Sequence, residues 1–386
     1  MHADSLKKQF QTAFTTLPTL VVRAPGRINL IGEHTDYNGG FVMPASIDKA
    51  IWFAAAPRSD QQCVLVAADL NEKHEFALSD LSKSDKSWTQ YPMGVLNELM
   101  AVGLMPKTGF NLLFGGNIPL GAGLSSSAAV ECGTAFVLNE LFGFGLSRLE
   151  MVKIAQRAEN NFVGLQCGIM DMFASMMGKA ASVIRLDCRS LEYTYFPFNA
   201  PHHSLVLCDS GVKHSLAGSE YNTRRQECET GVNILQQFDN QTESLRDVSM
   251  AFLQQHQAAL PPVVYQRCQY IVSEIERVRQ AGQLLEAGNL AGFGQLMYQT
   301  HDGLQHQYEV SCPELDLLVA HTRSLGSVLG ARLMGGGFGG CTLNLVEKSH
   351  VSEFIENITH AYQIQTGIDL TCHEVVLSNG TEKISD

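Results

Sequence analysis

The sequence predicts an α+β protein built in two halves. Short β-prone runs closed by Pro, Gly or Asp crowd the first third of the chain. From about Ser219 the pattern turns helical, and the tail then alternates strand and helix. At 386 residues the chain exceeds what one core usually holds. Two units, 1–200 and 201–386, are therefore expected.

Residues 1–14 read as a short amphipathic helix, with Phe10, Phe14 and Leu17 at near-helical spacing. TLVVRAPG, FVMPASI, AIWFAAAP and QCVLVAAD, all before residue 70, read as strands. AAVECGTAFVLNELFG reads as a helix, with Val130, Phe136, Val137, Leu138 and Leu141 on one broad face. Ser147 and Glu150 have capping-box spacing at the start of the next helix. SVIRLDC and SLVLCDSG are strands. Two long helices come next, separated by a polar stretch from Asp239 to Pro262 that reads as a solvated loop. Ser311 and Glu314 are placed to cap PELDLLVAHTRSLG. GARLM and CTLNLV are strands, HVSEFIENITHAYQIQTG a helix, and LTCHEVVL a strand.

Composition narrows the function. Hydrophobic residues make up 45% and charged residues 17%, as in a globular enzyme. A net charge of −12 excludes nucleic acid as a natural partner, because its phosphates need a basic face. An anionic nucleotide would need local devices: backbone N–H groups, a helix N-terminus, a metal or a few placed cations. No run of residues approaches a membrane span, and the N-terminus lacks the apolar centre of a secretory signal. Ten cysteines are scattered with no C-x-x-C pair, which suits buried thiols in a reducing cytoplasm.

Three glycine-bearing segments carry chemistry. APGRINLIGEHTDYNGG places Glu33, His34, Asp36, Tyr37 and Asn38 between Gly32 and Gly40. Such a cluster matches sugar hydroxyls, which both donate and accept; spacing alone allows a polar turn equally well. Arg27 just upstream fits a salt bridge or a phosphate contact. NIPLGAGLSSSAAVE feeds two close glycines and three serines into a helix N-terminus, a device for phosphate. It is not a Walker A motif. LMGGGFGGCTLNLV formally contains G-x-G-x-x-G, but a strand pattern comes after it. A dinucleotide turn should open a helix, so a glycine loop joining two strands is expected instead.

Together and in this order, the three segments resemble the GHMP kinase superfamily. GRINLIGEHTDY resembles the signature of its galactose-phosphorylating members, PLGAGLSSSAA its ATP loop, and LMGGGFGGC its third motif. CGIMDMFASMMGK, IRLDCRSL and VKHSLAGSEYNTRRQECE are similar to further segments of those members, so the likeness covers nearly the whole chain. It implies an N-terminal domain on a mixed sheet (ribosomal S5 domain 2-like), a C-terminal ferredoxin-like domain, and an active site in the cleft between. It implies a kinase acting on the anomeric hydroxyl of galactose with ATP and Mg²⁺, and a monomer.

Carried over onto this sequence, Glu33, His34, Thr35 and Asp36 would hold the sugar, with Tyr221 and the backbone at Gly168. Gly121, Ala122, Gly123, Leu124, Ser125, Ser126 and Ser127 would wrap the ATP phosphates, and Trp88 would line the adenine pocket or pack in the core. Ser127 and Glu159 would ligate Mg²⁺. Asp171 would take the proton of the attacking hydroxyl, with Arg27 as its partner. One departure is Met172, where the family usually has Gln; Met donates no hydrogen bond. Two rivals stand beside this reading: a kinase for N-acetylgalactosamine, and a sensor that binds both ligands without turnover. Sensors of that kind lack two residues after the serine run, whereas Ala128 and Ala129 continue it here.

Overall fold

The computed structural model describes residues 3–119, 123–212 and 217–384. In chain order its strands are β1 (Leu20–Asn29), β2 (Phe41–Val42), β3 (Pro44–Pro57), β4 (Gln62–Ala67), β5 (Glu72–Ala77), β6 (Phe110–Gly116), β7 (Ser182–Asp187), β8 (Tyr193–Pro197), β9 (His203–Asp209), β10 (Val328–Leu333), β11 (Cys341–Glu347), β12 (Thr371–Val375) and β13 (Glu382–Lys383). The helices are α1 (Ala3–Phe14), α2 (Gln90–Ala101), α3 (Ser126–Phe142), α4 (Arg148–Arg157), α5 (Met170–Met177), α6 (Ala217–Leu235), α7 (Met250–Gln255), α8 (Pro262–Glu286), α9 (Leu290–His306), α10 (Pro313–Thr322) and α11 (Val351–Thr366).

Three sheets result. The first runs β13-β1-β3-β6-β4-β5 and is mixed, with β4 parallel to β6 and the other neighbours antiparallel. The second runs β10-β11-β9-β12 and is antiparallel throughout. Helices fill the connections from β9 to β10 and from β11 to β12, the β-α-β-β-α-β order of a ferredoxin-like unit. The third is the small sheet β2-β7-β8. The chain end returns to the beginning, for β13 pairs with β1 at Val22↔Lys383 and Arg23↔Glu382.

Several expectations need correction. FVMPASI and AIWFAAAP do not form separate strands; Pro44–Pro57 is one strand of 14 residues. The polar Asp48 stays in it because its N–H donates to Val376 O at 2.9 Å and its Oδ1 accepts from Val376 N–H at 3.0 Å. Helix α1 ends at Phe14 and buries Leu6 and Phe10 against Val21, Ala54 and Leu113, whereas Leu17 lies beyond it and is exposed. Helix α3 is buried on all sides from Ala128 to Asn139, because β1 and β3 flank it on one side and α2, α4 and α5 on the other. The capping box at Ser147 and Glu150 forms. The one at Ser311 does not: Cys312 is the N-cap, and the Ser311 hydroxyl bonds Asp316 instead.

The stretch from Asp239 to Pro262 is no solvated loop. It folds into short turns and α7, and Leu245, Val248, Leu253 and Leu260 enter a second core with Val264, Cys268 and Ile271. Ser244 and Asp247 close a capping box there. Arg246 pairs with Asp187 and lies over the Phe41 ring, pinning the stretch to the first half of the chain. The glycine loop behaves as expected and joins β10 to β11 with no helix after it.

Candidate functional site

A cavity of about 290 Å³ opens where the end of β1, the turn before α5, the start of α6 and the β10–β11 loop meet. Glu33, His34, Asp36, Gly168, Asp171 and Tyr221 line it, together with Arg27 and the loop from Gly335 to Phe338. Segments 27–36, 168–171, 221 and 335–338 thus converge on one space.

Arg27 leaves β1 at a register shift between Pro25 and Arg27. Its Nε and Nη2 donate to Asp171 Oδ1 and Oδ2, both at 2.8 Å. Its Nη1 donates to Gly123 O at 2.6 Å. The Ser125 hydroxyl donates to the same Asp171 Oδ2. Asp171 sits in the first turn of α5, so the helix backbone fixes its direction. Burial would lower the Arg27 pKa, but Asp171, Glu33 and Asp36 outweigh it and hold it above its ordinary value.

The turn after β1 carries the polar cluster. Glu33 Oε1 accepts from Gly335 N–H at 2.8 Å and pairs with Arg332 Nη2 at 2.5 Å. His34 takes φ +64°, a left-handed conformation that costs about 1 kcal/mol and is held by its surroundings. Its Nδ1 meets Tyr37 Oη at 2.8 Å, and that hydroxyl meets Tyr308 Oη at 2.8 Å. Burial drops the His34 pKa to about 4, so its imidazole is neutral at pH 7. Ser125 and Phe338, also at this site, share the left-handed conformation at φ +56° and +62°. Gly337 at φ +83° has no room for a Cβ, which would lie 2.2 Å from Val310 O.

Burial, then repulsion from Asp171, pushes the Asp36 pKa up to about 7. That lies above the unfolded value of about 4. The folded chain therefore binds this proton more tightly, and the associated stability is fully present below pH ~4 and lost as pH rises through about 7. Asp36→Asn removes the charge that must be buried. Its thermal midpoint should exceed the wild type's at pH 8 and not at pH 4, while its activity falls; a lower midpoint at pH 8 would contradict this account.

Thr35 does not line the cavity. Its hydroxyl donates to Gly32 O at 2.9 Å and Phe41 O at 2.6 Å, which gives it a turn-closing role rather than the expected sugar contact. Met172 is fully buried in the core and does not line the cavity.

Of the serine-rich turn, Gly121 and Ala122 lie outside the described residues. Leu124 O accepts from Arg27 N–H at 3.2 Å. Ser125 is the N-cap of α3 but makes no side-chain cap, so the first amides of α3, from Ser126 and Ser127 onward, are left for another acceptor. Glu159 sits in a π-helical turn, Ala158–Val163, beside the Ser127 hydroxyl. Burial, then Asp171, pushes its pKa up to about 7. Glu131 lies next to it, and the two carboxyls meet with no donor between them unless one is protonated. Burial and Glu159 raise the Glu131 pKa well above the usual carboxylate range. Trp88 stands apart from the cavity; its Nε1–H donates to Glu72 Oε2 at 2.8 Å and its ring packs edge-on against Phe114.

The chain matches the family models for the GHMP kinases N terminal domain at residues 90–179 and the GHMP kinases C terminal at 282–364. The galactokinase galactose-binding signature matches at residues 8–57, which include Glu33, His34 and Asp36. Galactokinase from Roseiflexus sp. (strain RS-1) is 42% identical over 386 residues, covering 100% of this chain and 98% of that protein. The chain belongs to the galactokinase family of GHMP kinases. Galactokinase from Clostridium perfringens (strain ATCC 13124) is 38% identical over 387 residues, with 100% of each chain covered. The crystal structure of Lactococcus lactis galactokinase complexed with galactose superposes with a TM-score of 0.95 at 34% identity, covering 99% of both chains. Mevalonate kinase from Methanococcus jannaschii shares the fold at a TM-score of 0.66 and 18% identity, with 93% of this chain and 98% of that chain covered. A GHMP kinase fold, α+β with mixed and antiparallel sheets, is what this galactokinase-family chain adopts.

Sequence reasoning missed Arg332, Tyr308 and Glu131. Arg332 is wholly buried in β10 although alternation with Ala331 and Leu333 assigns it the polar face, so no local pattern marked it.

Proposed function

We propose that this kinase transfers the γ-phosphoryl group of ATP to the anomeric hydroxyl of galactose, giving galactose 1-phosphate and ADP and opening galactose catabolism. One observation carries the reading: a sugar-sized cavity lined by Glu33, His34, Asp36 and Tyr221 has Asp171 on its wall, clamped by Arg27 and by Ser125 of the serine-rich turn. Phosphoryl transfer needs positioning and charge neutralisation more than covalent help. Glu33, Asp36, neutral His34 and Tyr221 supply acceptors and donors for ring hydroxyls. Asp171 takes the proton of the attacking hydroxyl, oriented by two bonds from Arg27, which also offsets charge on the transferring group. The uncapped start of α3 would offer its first N–H groups to the phosphates. Trp88, packed on Phe114 of the strand leading into the serine turn, is our candidate for the adenine side.

The donors beside that turn suit Mg²⁺. Ser127 and Glu159 offer hard oxygens, and Glu131 adds a buried carboxyl that a nearby cation would relieve. Among the described residues no set of three His, Cys, Asp or Glu side chains is placed to hold a metal. Bound there, Mg²⁺ would neutralise charge between the β- and γ-phosphates. Glu159→Gln should raise the Mg²⁺ concentration for half-maximal rate by about 10-fold or more and leave the galactose KM unchanged. An unshifted Mg²⁺ dependence would remove Glu159 from the ligand set.

We read the chain as two units meeting near residue 200, where β8 ends at Pro197 and β9 opens the antiparallel sheet at His203. No helix among the described residues is long and apolar enough to cross a membrane. All ten cysteines are free thiols, which supports an enzyme of the reducing cytoplasm, and we take its working form to be a monomer. The deciding experiment is a sugar panel with a coupled ADP readout. Galactose should be the best substrate. Preference for N-acetylgalactosamine, or galactose binding without ADP release, would overturn the assignment.

A further inference from the structure

We infer that Arg332 is a positioning residue for sugar recognition: from strand β10 it sets the Glu33 carboxylate in the cavity wall. This rests on the reading that Glu33 binds the sugar. Arg332 is 0% exposed, the largest side chain among the described residues to be so. A wholly buried guanidinium is costly unless it is paired; among the described residues the Nε and Nη2 of Arg332 have no partner in hydrogen-bond geometry, so the Glu33 carboxylate offsets its charge as an ion partner. Its Nη2 lies 2.5 Å from Glu33 Oε1, and its Nη1 donates to Asn29 O at 2.5 Å. It therefore grips both the end of β1 and the first acidic residue of the turn beyond it, from more than 290 positions away in sequence.

Glu33 Oε1 accepts from Gly335 N–H as well, three residues further along the same chain segment. Tyr270 Oη donates to Glu33 O at 3.1 Å and fixes the backbone below. Oε1 is thus held from behind by the second sheet and its loop. A carboxylate fixed at one oxygen presents the other in a defined direction. That is what discrimination between hydroxyl positions on a hexose requires. Arg332 itself is not among the residues lining the cavity, so it acts through Glu33 rather than on the substrate.

The test uses the full-length enzyme, galactose and a set of galactoses each lacking one hydroxyl. Glu33→Gln identifies which hydroxyl Glu33 reads, as the deoxy sugar whose disadvantage disappears. Arg332→Met should raise the galactose KM by about 10- to 100-fold with kcat and ATP KM little changed, and should erase discrimination at that same hydroxyl. Arg332→Lys keeps the charge but not the fork, and should recover part of the KM and of the discrimination. The double variant Arg332→Met with Glu33→Gln removes both buried charges; its KM should match that of Glu33→Gln alone. If Glu33→Gln itself leaves KM and discrimination untouched, the reading of Glu33 fails and the inference with it. If Glu33→Gln acts as described while Arg332→Met or Arg332→Lys keeps wild-type discrimination, or the double variant is additive, the role given to Arg332 is overturned.

Discussion

Asp171→Ala should lower kcat by about 10³-fold while galactose still binds. Both oxygens of Asp171 are aimed by one cation in the cavity wall. Its removal deletes the proton acceptor and frees Arg27 at once. Arg27 is nearly buried, and without Asp171 it is left with the bond to Gly123 O at 2.6 Å. A buried charge deprived of its partner costs about 3–5 kcal/mol, so the alanine variant should also unfold at lower temperature. Asp171→Asn separates the two effects. It keeps the size and one acceptor oxygen but turns an N–H₂ group toward the guanidinium. Its turnover should be as poor as the alanine variant's, with a smaller stability loss. Single-turnover measurement with saturating galactose and ATP isolates the transfer step. If Asp171→Ala turns over at the wild-type rate, proton removal by this residue is wrong. Ser125→Ala, which deletes only the third hydrogen bond to Asp171, should cost far less.

The contiguous parts of this site were legible because their chemistry lies within a few residues. Gly32 to Gly40 and Gly123 to Ser127 are dense in one kind of group, and no long-range partner is needed to see it. The role of the glycine hexapeptide was legible from its C-terminal neighbour, since CTLNLV reads as a strand and forms β11. Asp171 and Tyr221 came from family resemblance alone; neither has a local pattern that marks it. Features that depend on distant partners stayed hidden. Arg332 and Tyr308 reach Glu33 and Tyr37 across some 270 to 300 positions. The stretch 239–262 looked like solvent loop because its apolar residues are spaced for short turns rather than for one helix. The Ser244–Asp247 capping box was the missed signal. Strand β5 escaped notice as well, because an edge strand with Lys73 and Glu75 exposed lacks the apolar run of its neighbours.

Gly168→Ala should disable sugar binding with little harm to the fold. The argument is one of space. A Cβ at this position would stand 1.7 Å from Asp36 Oδ2 and 2.2 Å from its Cγ. The backbone φ is not left-handed here, so the new methyl strains no dihedral; it displaces a carboxylate. Asp36 can rotate away, which holds the folding cost near ~1–2 kcal/mol. It cannot then remain where it lines the cavity. The galactose KM should rise by about 100-fold, and the ATP KM should stay within about 3-fold of wild type. A second variant makes the cause explicit. In an Asp36→Ala background the methyl meets no carboxylate, so adding Gly168→Ala should raise KM little further. Full additivity of the two changes would mean that the glycine acts on the sugar directly and not through Asp36. Because Gly168 also adjoins Cys167, whose thiol approaches Glu159 Oε2 at 3.5 Å, the Mg²⁺ dependence should be measured alongside. An unchanged Mg²⁺ dependence would confine the effect to the sugar side of the cavity, where the overlap with Asp36 places it.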